Sequence, residues 1–186
     1  MREFLHQFHP ISDKAFQLLQ ANLRAVTFKR GEIITQEGQV QRDLYFVREG
    51  VQMSYHTHGG GQQVMAFTYP PSLSGIPESF LQQRPALYNL EALTDSTFEA
   101  ISFERLNGLY DESHELERLT RKLTEAVFIG VSQRLFELHA FTIEERFKAF
   151  ARRSPHLFGL VPHKYIASYL NINPTNFSKL YNSIKF

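Results

Sequence analysis

The sequence predicts an α+β fold in which an antiparallel β-roll is followed by a long helix and a small helical unit. Between residues 28 and 102, short runs of β-forming residues are separated by turn residues, which indicates about eight strands with no crossover helix between them. From Asp111 onward, apolar residues instead recur every three or four positions, as on one face of a helix. After residue 141, short amphipathic segments follow in a basic context.

The segment Phe28–Gly50 organises the predicted β-roll. Its glycines at positions 31, 38 and 50 can supply the positive φ angles that tight corners need, and they separate short apolar runs. A helix capped by Ser12 is predicted before it, over Ile11–Arg24. After it we expect a hairpin around the glycines at 59–61, a short helix at 77–83, and strands at 88–93 and 97–102.

Composition excludes several classes of protein. The 186 residues can bury one core and a small second unit, and the absence of cysteine excludes disulfides and thiolate metal sites. The first residues show no signal peptide or membrane span, so we expect a cytoplasmic protein that does not bind membranes. Residues 141–186 carry seven of the 20 Lys and Arg residues but two of the 19 acidic residues. This asymmetry suggests contact with a polyanion, with a merely solvated basic surface as the alternative.

The predicted long helix carries a continuous apolar stripe. Over nearly thirty residues it would be about 40 Å long, more than a chain of this size covers by itself, so we expect a partner helix in a homodimer. The alternative is a helix that packs only on its own β-roll. The predicted dimer seam consists of Leu116, Leu119, Leu123, Val127, Val131 and Leu135.

The C-terminal segments predict a helix over 142–153 and then a helix-turn-helix over 161–184. Asn171 tolerates the left-handed turn conformation, and Asn173-Pro174 provides an N-cap followed by a favourable first helical residue. The second helix would bury Phe177, Leu180 and Ile184 and expose polar residues suited to base edges and phosphates. A plain helical hairpin is the alternative. The candidate DNA-binding residues are Lys164, Asn173, Thr175, Asn176, Ser178, Lys179 and Asn182, with further phosphate contacts from Arg152, Arg153 and Lys185.

Two stretches carry a resemblance to a known family. The pattern F-x-x-G-E-x-I-x-x-x-G from Phe28, followed by L-Y-F-V-x-x-G from Leu44, resembles the start of a cyclic-nucleotide-binding-type domain. The run KYIASYL at 164–170 resembles one branch of the Crp/Fnr family of bacterial transcription regulators. Over Ile11–Ile184, the resemblance implies an effector domain at 1–110, a dimerisation helix at 111–140 and a DNA-binding domain at 141–186. It also implies a non-enzymatic homodimer that binds double-stranded DNA at a two-fold symmetric operator in response to a small effector. RNA polymerase is a further candidate partner.

The candidate effector pocket departs from the cyclic-nucleotide binders of that family. Their phosphate cassette reads G-E-L and then R-[ST]-A, in which the acid holds the ribose and the arginine pairs with the phosphate. Here no Glu follows Gly75, and Pro85 replaces the hydroxyl residue and removes an N–H donor. The effector is therefore not expected to be cAMP, and the sequence suggests no substitute. The candidate pocket residues are Gly75, Glu78, Ser79, Arg84 and Ala86.

The predicted recognition helix also departs from the family. Lys179 stands where an arginine is usual, which removes bidentate reach to guanine. The sequence ends at Phe186, so no β-wing is expected to follow.

Two other interpretations stay open. Gly50-x5-His56-x-His58 resembles the opening of a cupin metal motif, but Gln62 and Gln63 stand where the motif needs a Glu, and the second half-motif is missing. A cupin-like metal enzyme would have no evident use for the basic helix-turn-helix. The second alternative is a stand-alone ligand-sensing module that regulates another protein. No metal or cofactor is assigned, and no catalytic constellation is visible.

Overall fold

The computed structural model describes residues 1–183, which form two compact units. The first unit contains Met1–Ser54 and Phe67–Phe128, and the second contains Tyr55–Ala66 and the described residues from 129 onward. The chain therefore passes from one unit to the other three times. The helices are α1 (Arg2–His6), α2 (Asp13–Gln20), α3 (Pro77–Gln82), α4 (Phe103–Glu112), α5 (His114–Ala140), α6 (Ile143–Arg153), α7 (Leu157–Leu160), α8 (His163–Leu170) and α9 (Pro174–Ser183). The strands are β1 (Arg24–Phe28), β2 (Ile33–Thr35), β3 (Asp43–Glu49), β4 (Gln52–His58), β5 (Gly61–Thr68), β6 (Ser72–Ser74), β7 (Asn89–Ala92) and β8 (Ser96–Ser102).

The strands form two four-stranded sheets, in the orders β1-β8-β3-β6 and β2-β7-β4-β5. Strand β8 pairs antiparallel with β1 on one side and with β3 on the other, and β2 and β7 are also antiparallel. The predicted α+β fold with an antiparallel roll of eight strands is therefore confirmed. The helix predicted over 11–24 is observed as the shorter α2, and Arg24 already belongs to β1. Its predicted cap, Ser12, accepts a hydrogen bond from the amide of Ala15.

Gly50 makes the corner between β3 and β4, as the glycine pattern predicted. Its φ is +90°, in the left-handed region that side chains rarely adopt. A Cβ atom at this position would lie 2.5 Å from the carbonyl oxygen of Asp95 and 2.8 Å from the Cα of Ser96. This turn therefore requires glycine for two reasons, backbone conformation and close approach.

The core of the first unit joins the roll to helices that the sequence pattern did not reveal. Helices α1 and α4 were not predicted, yet Leu5 and Leu109 from them are fully buried. The first part of α5 packs into the same core, with Leu116, Leu119 and Leu123 at most 5% exposed. These three residues were predicted to lie in a dimer seam. Since their side chains are covered by their own unit, the dimer seam proposed below does not include them.

Helix α5 has 27 residues, close to the predicted length. It starts after a break at Ser113, which separates it from α4. Neither α5 nor any other helix within residues 1–183 is long and apolar enough to span a membrane.

The helical part of the second unit is built around aromatic side chains. Phe147, Phe150 and Phe177 are at most 2% exposed, and Phe147 lies 5.5 Å from Phe177 between ring centroids. Phe158, from the short helix α7 that was not predicted, contacts all three rings. This core therefore packs α9 against α6.

Candidate nucleic-acid interface

Helices α8 and α9 form the predicted helix-turn-helix. Asn171 ends α8 in the left-handed conformation, with φ 52° and ψ 50°, as its residue type predicted. The amide of Ile172 donates to the carbonyl of Ala167 at 2.9 Å, which closes the turn, and both side chains are buried. The turn therefore needs a residue that tolerates positive φ and a small residue one turn earlier.

Asn173 caps the second helix. Its side-chain oxygen Oδ1 accepts a hydrogen bond from the amide of Thr175 at 2.9 Å, and its carbonyl accepts one from the amide of Phe177 at 2.9 Å. Because the side-chain oxygen of Asn173 is engaged, we do not assign this residue to base recognition.

The outward face of α9 is polar and uncovered within its own unit. Phe177 is 2% exposed and anchors the opposite face, whereas Leu180, predicted to be buried, is only half-buried. Ile184 and Lys185 lie outside the described residues. The exposed candidate residues on this helix are Thr175, Asn176, Ser178, Lys179 and Asn182.

The candidate phosphate contacts differ in availability. Arg152 and Lys164 are exposed, and the Lys164 ammonium lies 4.7 Å from the centre of the Tyr165 ring. Arg153 is instead paired with Glu137, with Nη1 and Oε1 2.8 Å apart. The Arg153 guanidinium is therefore already engaged, which makes Arg152 and Lys164 the better candidates for phosphate contacts.

Two arginines that the sequence analysis did not single out hold the helix-turn-helix in place. Arg146, 8% exposed, donates to the carbonyls of Leu138 (3.0 Å), Phe141 (3.4 Å) and Asn171 (3.3 Å). It thus joins the end of α5 to the turn between α8 and α9. One signal was present in the sequence: Arg146 lies four residues before Phe150, on the buried face of α6.

Arg134 holds α8 from the side of α5. Its guanidinium lies 4.1 Å from the centre of the Tyr169 ring and donates a hydrogen bond to the Tyr169 carbonyl. Burial lowers the pKa of Arg134, and the nearby Tyr169 and Glu137 partly oppose this effect. Lysine could not reproduce both the ring stacking and the hydrogen bond of this guanidinium.

A capping box fixes the start of α6. The hydroxyl of Thr142 accepts from the amide of Glu145 at 3.3 Å, and the amide of Thr142 donates to the Glu145 carboxylate at 2.8 Å. This backbone hydrogen bond lowers the pKa of the Glu145 carboxyl. The box sets the point at which the chain leaves α5 and enters α6.

In the candidate effector region, Ser79 is committed to internal hydrogen bonds. Its hydroxyl donates to the carbonyl of Arg84 at 2.6 Å and accepts from the backbone amide of Gln41 at 3.0 Å. The Gln41 side chain in turn bonds Thr35 at 2.8 Å. A Cβ at Gly75, where φ is +156°, would lie 2.7 Å from Nε2 of Gln41. Gln41 and Ser79 thus form one buried polar network beside Gly75.

The other candidate pocket residues are divided between the interior and solvent. The amide and carbonyl of Ala86 bond Gln39 and Gly38, each at 2.8 Å, and its side chain is buried. The Tyr88 hydroxyl donates to Glu78 at 3.1 Å; burial, with a smaller contribution from the Glu78 charge, raises the pKa of Tyr88. The Arg84 side chain is exposed.

The two hairpin histidines stack on each other, with the rings of His56 and His58 6.4 Å apart. Within residues 1–183, no group of three or more His, Asp or Glu side chains is placed to hold a metal ion. The cupin-like alternative therefore has no third ligand in this part of the chain.

The chain contains a cyclic-nucleotide-binding-type domain: residues 25–113 match the family model described as the cyclic nucleotide-binding domain. The transcriptional activator protein Anr of Pseudomonas aeruginosa is 26% identical over 128 residues, which cover 68% of this chain and 52% of that protein. The chain thus spans about half the length of this relative.

Solved structures share the fold at low sequence identity. FixK2 from Bradyrhizobium japonicum superimposes with a TM-score of 0.74 at 17% identity, over 86% of this chain and 83% of FixK2. A Crp/Fnr-family protein from Eubacterium rectale gives a TM-score of 0.70 at 17% identity, over 92% of this chain and 82% of that one. With its β-roll, long helix and helix-turn-helix, this chain shares the fold of these solved structures.

Proposed function

We propose that this protein regulates transcription as a homodimer that binds double-stranded DNA at a two-fold symmetric operator. The observation that carries this proposal is the polar, exposed face of α9, opposite the buried Phe177. In a helix-turn-helix, the second helix enters the major groove and its outward side chains meet base edges. RNA polymerase is the partner through which such a dimer would act on transcription.

The residues on α9 favour adenine over guanine. Asn176 is exposed close to the start of the helix, where its carboxamide can pair with an adenine edge. Lys179 supplies the single positive charge of α9 and reaches guanine or a phosphate without the bidentate geometry of arginine. We therefore expect one adenine per half-site to be read by Asn176.

The dimer proposal rests on the second half of α5. Val127, Val131 and Leu135 follow one another at four-residue spacing on one face, beside Phe128, and they are 42–71% exposed. A patch of large apolar side chains on one helix is the kind of surface that a second copy of the same helix covers in a two-fold dimer. Two-fold symmetry would also provide the second recognition helix for the other half of the operator.

The proposed effector is a small molecule other than cAMP. Beside Gly75, the Ser79 hydroxyl already accepts a hydrogen bond from the backbone amide of Gln41. Pro85 provides no N–H donor for a phosphate. In calorimetry at millimolar cAMP, we expect no saturable heat that depends on Arg84. Micromolar binding that is abolished by Arg84→Ala would contradict this expectation.

The test of the main proposal is operator selection from random double-stranded oligonucleotides with the full-length protein. Replacing Asn176 by Ala should relax specificity at one base pair per half-site, at a cost of about 1–3 kcal/mol there. Replacing Lys164 by Ala should weaken binding to all sequences alike and reduce the log–log salt slope by about 0.9 for each phosphate that is no longer neutralised. The two variants control for each other, since one changes sequence preference and the other does not.

If the selection enriches no two-fold symmetric site at low salt, the proposal of operator binding is wrong. The selection should be repeated with candidate effectors of different chemistry, including haem, 2-oxo acids and lipids, since one of them could be needed for binding.

A further inference from the structure

The tip of the β4–β5 hairpin is bound to the first helix of the helix-turn-helix by one side chain, Ser168. The Ser168 hydroxyl donates to the carbonyl of Gln62 at 2.8 Å and accepts from the amide of Val64 at 3.0 Å. Both partners belong to β5, more than 100 residues earlier in the chain and within the same compact unit. One hydroxyl thus uses its donor and an acceptor position on two backbone groups of one strand.

These two backbone groups are the ones that a further strand would have bonded. Strand β5 lies at the edge of its sheet, in the order β2-β7-β4-β5. The carbonyl of Gln62 and the amide of Val64 point to the same side, because residues two apart in a strand share their orientation. Ser168 therefore satisfies part of an open strand edge, and it does so from a position on α8 outside the buried face formed by Ile166 and Leu170.

Three hydrogen-bonded contacts hold the C-terminal end of α8 and the turn after it. Ser168 bonds the hairpin, the carbonyl of Tyr169 accepts from Arg134, and the carbonyl of Asn171 accepts from Arg146. None of these contacts covers the outward residues of α9, which remain exposed. A contact that fixes α8 and leaves the recognition face open is suited to orienting the helix-turn-helix rather than to blocking it.

We propose that Ser168 is a positioning residue through which the β4–β5 hairpin holds α8 in the orientation that binds DNA. This inference rests on the proposed function. Strands β4 and β5 both run from the unit that contains most of the β-roll into the unit that contains α8.

The first experiment needs no DNA. In the free full-length protein, Ser168→Ala should raise the hydrogen-exchange rate of the Val64 amide at least tenfold, and Ser168→Thr, which keeps the hydroxyl, should restore protection. Helix α8 itself should not be destabilised, because alanine is a better helix former than serine. Unchanged exchange at Val64 in Ser168→Ala would overturn the proposal.

The second experiment measures affinity for the operator selected by the wild type, using fluorescence anisotropy. Ser168→Ala should weaken binding twofold to tenfold at an unchanged salt slope, and Ser168→Thr should recover it. Val64→Pro removes the donor on the strand edge, so the double variant should bind no more weakly than the weaker of the two single variants. An effect that came only from lost stability would instead add across the two sites.

The outcomes separate this inference from the proposed function. If the wild type selects no operator, the proposed function fails and the role of Ser168 in DNA binding fails with it. If the wild type binds and Ser168→Ala binds equally well or more tightly, only the positioning role is overturned.

Discussion

Replacing Arg146 by alanine should destabilise the second unit selectively. The guanidinium is 8% exposed and donates to three backbone carbonyls, from Leu138, Phe141 and Asn171. Leu138 lies in the last turn of α5 and Phe141 directly follows the helix, where the helix dipole favours a positive charge. Removing the side chain therefore leaves the end of α5 and the turn after α8 without their common donor.

The size of the effect follows from the bond lengths. A hydrogen bond to a charged group contributes about 1.5–3 kcal/mol. Only the bond to Leu138, at 3.0 Å, has an ordinary length, and the bonds at 3.3 and 3.4 Å are weaker. We therefore expect Arg146→Ala to lower the free energy of unfolding by about 2–4 kcal/mol, which for a unit of this size corresponds to roughly 10–20 °C in the unfolding midpoint.

Differential scanning calorimetry with hydrogen exchange of peptides from 143–183 would measure this change. Arg152→Ala is the matched control, since Arg152 lies on the same helix with an exposed side chain, and its replacement should change stability by less than about 0.5 kcal/mol. If the two variants unfold at the same temperature, the buried guanidinium does not join α5 to the helix-turn-helix, and the reasoning is wrong.

Three further predictions follow from single positions. Leu135→Glu places a charge on the exposed apolar face of α5 and should run as a monomer in analytical ultracentrifugation. Gln133→Glu, away from that face, is the control and should leave the dimer intact. A Leu135→Glu variant that stays dimeric would show that the dimer seam lies elsewhere. Gly50→Ala should lower the urea midpoint far more than Gly31→Ala, because both glycines have φ of 85–90° but only at Gly50 would a Cβ meet backbone atoms; similar losses would show that backbone conformation alone matters. Burial, reinforced by a nearby carboxylate, raises the pKa of Tyr45 to about 12, so the folded state resists ionisation of this phenol. The contribution of the Tyr45 phenol to the free energy of unfolding is therefore complete below pH 10 and should be lost between pH 10 and 12, by up to about 2–3 kcal/mol. A Tyr45→Phe variant whose free energy of unfolding falls with the same slope at alkaline pH would refute this.

Local sequence signals determined the β-roll and the helix-turn-helix. The corner at Gly50, the left-handed turn at Asn171 and the caps at Ser12 and Asn173 were all predictable. Each depends on the conformational preference of one residue or on a bond between residues a few positions apart. Such preferences act in the same way wherever the segment is placed, which is why a sequence alone reveals them.

The tertiary structure decided what covers each apolar face. Leu123 and Val131 occupy the same repeating pattern on α5, yet the first is buried in its own unit and the second is exposed. Periodicity shows that a helix has an apolar side, but the covering partner comes from distant segments, here including α1 and α4, which carried no recognisable signal.

The same reason explains the contacts that hold helices α8 and α9. Arg146 reaches a carbonyl 25 residues away, and Ser168 reaches two groups more than 100 residues away. These partners are backbone atoms, which every residue possesses, so no residue type in the sequence identifies them. Only the folded chain brings the hairpin strand edge, the end of α5 and the turn after α8 within hydrogen-bonding distance of these two side chains.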